Sequence, residues 1–580
     1  MKTNILKIAG ATAVALSLAL TTSSCEDWLK EESYDFIQPD DIEDSDKGAN
    51  QWLTGCYSKI LTMFSSTDPY PMVWEYDSDY LTGPSWAFGT FGAGNFQGNS
   101  LINNMWESNY ELIHRCNFAS YKVGQMQNVT PRAKTAILGE MKFIKAWAYF
   151  QLVRAFGPVP LRRQSISETA ERNVPRSPVT EVYDYIIELL LQAEDECYKN
   201  TDEGYVTGHV SAGTAAGLLA KVYATAAASA MPDGTSLWVY GGLPYSGEGE
   251  NKAYTEPQKL NYSTHQLPGY ESMDYRDLYT KAYKKAEEVI EGNYGNYDLV
   301  PYSQIYKRAN ANGPEYLWSL QPVSGDTRYS ESYGYHFSGI DDAQGYLYNG
   351  MWHGQRDHWY KMVESKDLRV KEGIKHMWKR AWTYEVTNKL GAFYPDTEEY
   401  RQKVADKEAP YSDDWTYITK QFDTYYLAYT TKFDDRSDRI ITQGDAVYPL
   451  LRFADIVLIY AEAYAEVNGT SDGKALDALN RVRTRSEATP RSLSGDGNVA
   501  SMTDFRSAVL MERSIEFAFE GDRRWDLIRW GVYVDVMNAI GDKDEIGVYK
   551  SRAERHRLFP IPLSEFDANT SITTNNPGWS

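Results

Sequence analysis

The clearest alternation of apolar and polar positions runs from Tyr448 to Gly531. In YPLLRFADIVLIYAEAYAEVNG, Leu450, Phe453, Val457, Tyr460, Tyr464 and Val467 recur at three- and four-residue steps, which puts them on one helix face. Pro449 suits the first turn of that helix and Asn468-Gly469 its end. ALDALNRVRTRS repeats the period through Ala475, Ala478, Leu479 and Val482, and the short turn between the two predicts antiparallel packing. DFRSAVLMERSIEFAFEGDRRWDLIRWG then carries Phe505, Val509 and Phe519 on or beside one stripe, with Glu512, Glu516 and Glu520 at four-residue steps. Three carboxylates on one helix face invite an acid–base reading. Arg513, Arg523, Arg524 and Arg529 supply countercharges in the same segment, however, and buried carboxylates persist only when paired, so the row reads as a structural ion-pair network.

The helical period recurs over Gln51–Phe64, over Asn104–Met126 and in LGEMKFIKAWAYFQLVRAFGPVPL, which Gly157-Pro158 closes. It returns in SPVTEVYDYIIELLLQAEDE, in GHVSAGTAAGLLAKVYATAAA and in YRDLYTKAYKKAEEVIEG, which ends at Gly292. Ala215, Gly217, Ala220 and Ala224 are small residues that let helices approach closely. Such pairs follow the logic of tetratricopeptide hairpins without their full repeat signature. EYLWSLQPV has strand-like composition, with Trp318 read as core.

Other stretches break the period. From Trp74 to Phe96, Trp86, Phe88, Phe91 and Phe96 stand among Gly83, Gly89, Gly92 and Gly94, which reads as a glycine-rich surface loop. Pro232 to Pro268 is rich in Gly, Tyr, Pro and Ser and also reads as loop, and Glu398 to Thr424 is polar without clear period. From Asp326 to Trp359, Tyr329, Tyr333, Tyr335, Tyr346, Tyr348, Trp352 and His353 are spaced by Gly, Asp, Asn and Gln. Structureless stretches of that length are uncommon unless functional.

The N-terminus, MKTNILKIAGATAVALSLALTTSSC, pairs basic Lys2 and Lys7 with an apolar run from Ala9 to Leu20 that is short for a membrane span, which is the pattern of an export signal. It ends like a lipoprotein signal at Ser24-Cys25, with Thr22 where an aliphatic residue is usual, so Cys25 is the expected lipidation site. Glu26 to Lys47 is acidic and aperiodic, as a tether would be. With Cys25 used, Cys56, Cys116 and Cys197 are odd in number and widely spaced, so no disulfide framework or zinc knuckle follows. His353 and His358 fit no metal-ligand spacing, and Asp44, Asp46 and Gly48 share only the start of a calcium loop. No metal and no cofactor are expected. A net charge of -21 without a basic cluster argues against nucleic acid.

LLRFADIVLIYAEAYAE, ALNRVR and ERSIEFAFEGDRRWDLIRW, in this order, closely resemble the C-terminal region of the SusD/RagB family of surface glycan-capture lipoproteins. LGEMKFIKAWAYFQLVRAFGPVPL, the Asp367-x-Arg369 element and the terminal HRLFPIPLSEFDANTSITTNNPGWS are similar to further family blocks. The resemblance implies a mainly all-α, SusD-like helical scaffold of tetratricopeptide-type helix pairs with long irregular insertions and a few short strands. It also implies delivery to a TonB-dependent, SusC-like outer-membrane transporter. On this reading residues 1–24 are a lipoprotein signal peptide, 25–48 a lipidated tether and 49–580 one domain. The scaffold occupies 49–320 and 449–535, with ligand-loop insertions at 74–98 and 322–448. Glu26 and Asp27 after Cys25 look like the signal that sends such lipoproteins to the outer face of the outer membrane.

No nucleophile elbow, phosphate loop or dinucleotide fingerprint stands in a suitable context. The chain is 14% aromatic, with 45 Tyr and 16 Trp, which permits a surface role for some rings. A pyranose offers an apolar face to a flat ring and a hydroxyl rim to polar side chains. The expected glycan-binding residues are therefore Trp86 with Phe88 or Phe91, and Trp352 with Tyr346 or Tyr348, meeting from two loops. His353, Arg356 and Asp79 are the expected hydroxyl partners, and the Trp238 to Tyr245 segment is the reserve. Poly- or oligosaccharide capture leads. Capture of peptides or another nutrient by the same architecture, and an all-helical glycoside hydrolase with a carboxylate pair across a cleft, remain alternatives.

Overall fold

The computed structural model describes residues 41–65, 70–247, 251, 253–343, 345–380, 390–408, 416–418 and 427–580. The export signal and Cys25 lie outside the described residues.

Long helices form the scaffold: α1 (Asp46–Phe64), α2 (Ser100–Gln125), α3 (Pro131–Phe156), α4 (Val179–Glu196), α5 (Ala212–Ala230), α6 (Tyr275–Ile290), α7 (Phe453–Asn468), α8 (Lys474–Arg485) and α9 (Met502–Glu516). From α2 to α8 each helix packs on the next, and α1 lies against α2 and α3. The small residues of α5 act as the spacing predicts, because a Cβ on Gly217 would overlap the Leu317 side chain. Trp318 is buried, with its ring edge-on to Phe143 and Trp147. Helix α7 ends at Asn468, with Gly469 left-handed at φ 64°. Among the described residues no helix is long and apolar enough to cross a membrane.

Strands are short and lie in the connections between the long helices. Among them are β1 (Leu81–Thr82), β2 (Ser236–Gly241), β3 (Gln258–Ser263), β4 (Tyr316–Ser319), β5 (Ile340–Asp341), β6 (Leu347–Asn349), β7 (Gly354–Gln355), β8 (Met377–Arg380), β9 (Leu390–Phe393), β10 (Thr416–Ile418) and β11 (Pro449–Arg452). The order β10-β9-β8-β6-β5 makes a mixed sheet inside the second insertion. The antiparallel pair β4–β11 joins the two ends of that insertion at its base, with Pro449 opposite Ser319 and Arg452 opposite Tyr316.

Several local expectations change. Pro449 begins strand β11 rather than the first turn of α7, which starts at Phe453. The Pro232 to Pro268 stretch contains the antiparallel β2–β3 pair. Asp326 to Trp359 is a chain of short elements, including a helix over Tyr333–Ser338, and Glu398–Ala405 is helical. The last residues of the acidic stretch expected as a tether pack on the scaffold. Asp44 accepts hydrogen bonds from the Gln127 and Asn128 amides at 3.0 Å, and Asp46 from the Thr130 amide at 2.6 Å, so these carboxylates pin the start of α1 to the α2–α3 turn.

The Glu512, Glu516 and Glu520 row is an ion-pair network, but its partners come from elsewhere in the chain. Helix α9 stops at Glu516, and Phe519 at φ 68° turns Glu520 onto a separate loop. Glu512 bonds Arg369 (2.5 Å) and Arg483 (2.6 Å), while Glu516 bonds Arg452 (2.8 Å), Arg369 (3.1 Å) and Arg485 (2.5 Å). Glu520 bonds Arg452 (2.8 Å) and Lys432 (2.6 Å), and Glu315 bonds Arg452 (2.7 Å) and Arg485 (3.0 Å). With Asp367 on Arg369 at 2.7 Å, five carboxylates face five cations, and the half-exposed Glu364 also holds Arg483 at 2.9 Å. Arg513 turns instead to Asp455 and Asp526, Arg523 to Asp79, Arg524 to Asp77, and Arg529 to Glu462 and Asp526. Burial pushes the Glu516 carboxyl up, but Arg485, Arg452, Arg369 and Lys432 outweigh it and hold it well below the usual range.

Removing one partner of a buried pair costs about 3–5 kcal/mol, so Glu512→Ala should lower the unfolding temperature by several degrees in a calorimetric scan. Glu512, Glu516 and Glu520 all have lowered folded-state pKa values. Their stabilisation is complete above the unfolded-state glutamate pKa and is lost as pH falls through the folded values. Acid titration of the unfolding free energy should show this loss below the ordinary glutamate range, and Glu516→Gln should reduce its steepness.

Candidate functional site

Strands β1 and β7 pair antiparallel, Leu81 opposite Gln355 and Thr82 opposite Gly354, which ties the two aromatic stretches together. Beyond this ladder Gly83 to Trp86 runs past His353 and Trp352. The Trp86 and Trp352 ring centroids stand 5.1 Å apart with their planes at 75°. Trp86 sits on a short helix, Ser85–Gly92, rather than a loop, and is 66% exposed. Trp352 is half-buried and meets Tyr335 at 4.9 Å and His336 at 5.3 Å, both edge-on. The two tryptophans form an angled corner rather than one flat platform.

Local backbone explains how two bulky rings come so close. Gly83 has no room for a side chain, because a Cβ would overlap His353 Nδ1 and lie 2.9 Å from the Trp352 carbonyl oxygen. Met351, just before Trp352, takes the left-handed conformation at φ 52°, and its amide donates to the Tyr335 carbonyl at 3.0 Å. On β6, Leu347 points inward and Tyr348 is exposed. Tyr346 is half-buried, with the Lys379 ammonium 5.7 Å from its ring centroid.

The polar candidates are corrected. Asp79 is buried and holds Arg523 through two bonds of 2.8 and 2.7 Å. Arg356 is buried, bonding Glu545 at 2.7 Å and the Asp79 carbonyl at 2.7 Å. His353 is buried, with Nε2 2.7 Å from the Tyr76 hydroxyl. Burial, then the neighbouring His336, lowers its pKa well below the ordinary range and keeps the ring neutral. These groups are enclosed beneath the corner rather than open at its surface. Phe91 is also buried, against Phe96, Tyr76 and Phe559. The Phe88 side chain lies outside the described residues. In the reserve segment, Trp238 is buried and donates to Asp504 at 2.8 Å.

The SusD family profile matches residues 277–579, and a profile described as starch-binding associating with outer membrane matches residues 27–224. The chain belongs to the SusD family. It is similar to SusD-like protein P25 of Formosa agariphila, at 23% identity over 97% of this chain and 98% of that protein. Among solved structures it is similar to a SusD homolog from Bacteroides thetaiotaomicron, with TM-score 0.70, 23% identity and coverage of 93% and 98% of the two chains. It is also similar to surface glycan-binding protein A from Bacteroides fluxus, with TM-score 0.62, 16% identity and coverage of 92% and 99%. These likenesses establish a SusD-like fold over 92–93% of the chain.

Within this SusD-family chain, Tyr335 is the corner residue that sequence reasoning did not select. Its neighbour Tyr333 is fully buried, and nothing in Tyr-Gly-Tyr says which ring turns outward. Gly83→Ala should force the two tryptophans apart. The expected result is a drop in the Trp–Trp exciton signal in circular dichroism equal to that caused by Trp86→Phe, with the contribution of the Trp147–Trp318 pair and the helical signal retained.

Proposed function

We propose that this SusD-family protein captures poly- or oligosaccharide at the outer surface of the outer membrane and hands it to a TonB-dependent transporter. The observation that carries the reading is the meeting of Trp86 and Trp352, distant in sequence, with Trp86 largely exposed. An exposed indole that packs on a second one offers a sugar an apolar face without needing to be ordered first. Planes at 75° suit a glycan chain that turns between residues better than a flat ribbon. Tyr335, edge-on to Trp352, extends the surface. The likeness to the Bacteroides fluxus surface glycan-binding protein, and to the profile described as starch-binding, supports the ligand class.

Carboxylates beneath the corner favour capture over hydrolysis. Asp77, Asp79 and Glu545 are each buried and bonded to arginine, an arrangement that leaves none of them open to a substrate. Lipidation at Cys25 holds the protein at the membrane in this proposal, because each buried CH₂ of an acyl chain contributes about 0.8 kcal/mol.

If a sugar covers about 80 Å² of the Trp86 ring, burial contributes about 2 kcal/mol, or about thirtyfold in affinity. Trp86→Ala should therefore weaken binding about thirtyfold in calorimetry against the neutral polysaccharide that binds wild type, with an unchanged helical circular dichroism signal. Unchanged affinity would move the site elsewhere. Cys25→Ala should release the protein from membranes and abolish its protease accessibility on intact cells.

A further inference from the structure

We propose that Asn349, beside the aromatic corner, is a site of spontaneous deamidation, and that its isoaspartate form separates Trp86 from Trp352. The chain holds three Asn-Gly pairs, Asn312-Gly313, Asn349-Gly350 and Asn468-Gly469. Before glycine the main chain attacks an asparagine side chain most readily, because glycine has no Cβ to crowd the approach. The fold treats the three pairs differently.

The Gly313 amide donates to the Asn310 carbonyl at 2.8 Å, and the Asn312 carboxamide is held by Gln321 through bonds of 3.3 and 3.0 Å. The Gly469 amide donates to the Ala465 carbonyl at 2.8 Å, and Asn468 Nδ2 donates to the Tyr464 carbonyl at 2.8 Å. In both pairs the attacking nitrogen and the carboxamide are committed elsewhere. At the third pair the Gly350 amide instead donates to Oδ1 of Asn349 itself, at 2.8 Å. The nucleophilic nitrogen and the group it must attack are already neighbours, and rotation about χ2 presents Cγ to it. Asn349 is exposed, so hydroxide and water reach it.

The steps balance without an oxidant or a cofactor. Hydroxide removes the Gly350 amide proton, the nitrogen bonds to Asn349 Cγ, and the Cγ–Nδ2 bond breaks to release ammonia, which takes a proton from water. Water then opens the five-membered succinimide. Attack at Cγ leaves aspartate, and attack at the main-chain carbonyl carbon of residue 349 leaves isoaspartate, in which the chain runs through Cβ and Cγ. That adds one carbon, about 1.5 Å, to the main chain. The next residues have no room to absorb it, since a Cβ on Gly350 would overlap the Tyr335 carbonyl oxygen. The Met351 and Trp352 amides donate to the Tyr335 and His336 carbonyls at 3.0 and 2.9 Å, and these bonds set Trp352 against Trp86. The added atom breaks them. Aspartate leaves the chain length unchanged and keeps the corner.

Incubation of the full chain at mildly alkaline pH, followed by peptide mapping in a mass spectrometer, tests the proposal. In the folded protein Asn349 should deamidate at least about tenfold faster than Asn312 and Asn468, whereas in urea the three should agree within about threefold. The fraction carrying isoaspartate at 349, separated by chromatography, should show the same drop in Trp–Trp exciton signal as Trp86→Phe. Asn349→Gln, whose side chain is one methylene too long for the five-membered ring, should stay intact and keep the signal over the same time. Equal rates at the three sites in the folded protein, or an unmodified Asn349, would overturn the proposal. An isoaspartate fraction with the exciton signal of fresh protein would overturn it too. The proposal does not depend on the glycan reading.

Discussion

Much of this structure depends on the burial of one guanidinium. Arg452 is 2% exposed and bonds Glu315, Glu516 and Glu520, which come from the start of β4, the end of α9 and the turn beyond it. A buried charge is tolerated only when paired, so none of these groups is stable inside until all of the segments have arrived. Arg369, Lys432, Arg483 and Arg485 extend the same cluster into the second insertion and α8. The cluster therefore acts on assembly as well as stability. Beside it, β4 and β11 close the base of the insertion, and α6 packs on α7 despite the long stretch of chain between them.

A second set of buried ion pairs supports the aromatic corner. Asp77 joins Arg524 and Arg552, Asp79 joins Arg523, and Arg356 joins Glu545. Through these bonds the segment leading into Trp86 and the segment following Trp352 are fixed to the C-terminal part of the chain. The β1–β7 ladder alone, two residues long, would hold the corner poorly. An aromatic surface fixed in this way loses little conformational freedom when it meets a ligand, which is the physical basis of preorganised recognition.

The Trp86–Trp352 corner is open and offers ring faces at its surface, with its nearby charges neutralised below.

The helices α1 to α9 are legible in the sequence because the 3.6-residue period is local, and the glycine at position 469 marks an end for the same reason. The two aromatic stretches stand out by composition, which is why Trp86 and Trp352 could be picked without knowing that β1 pairs with β7. Burial was not legible. Asp79, Arg356 and His353 are polar residues beside aromatic ones, and the sequence does not say that Arg523, Glu545 and Tyr76 will enclose them. Nor does it say that Glu512 pairs with Arg369 rather than with the arginines of its own segment, or that Pro449 starts a strand opposite Ser319. Period and propensity act over a few residues and are set by the chain itself. Which charge meets which, and which ring reaches the surface, depends on contacts between distant segments, and only the tertiary structure decides those.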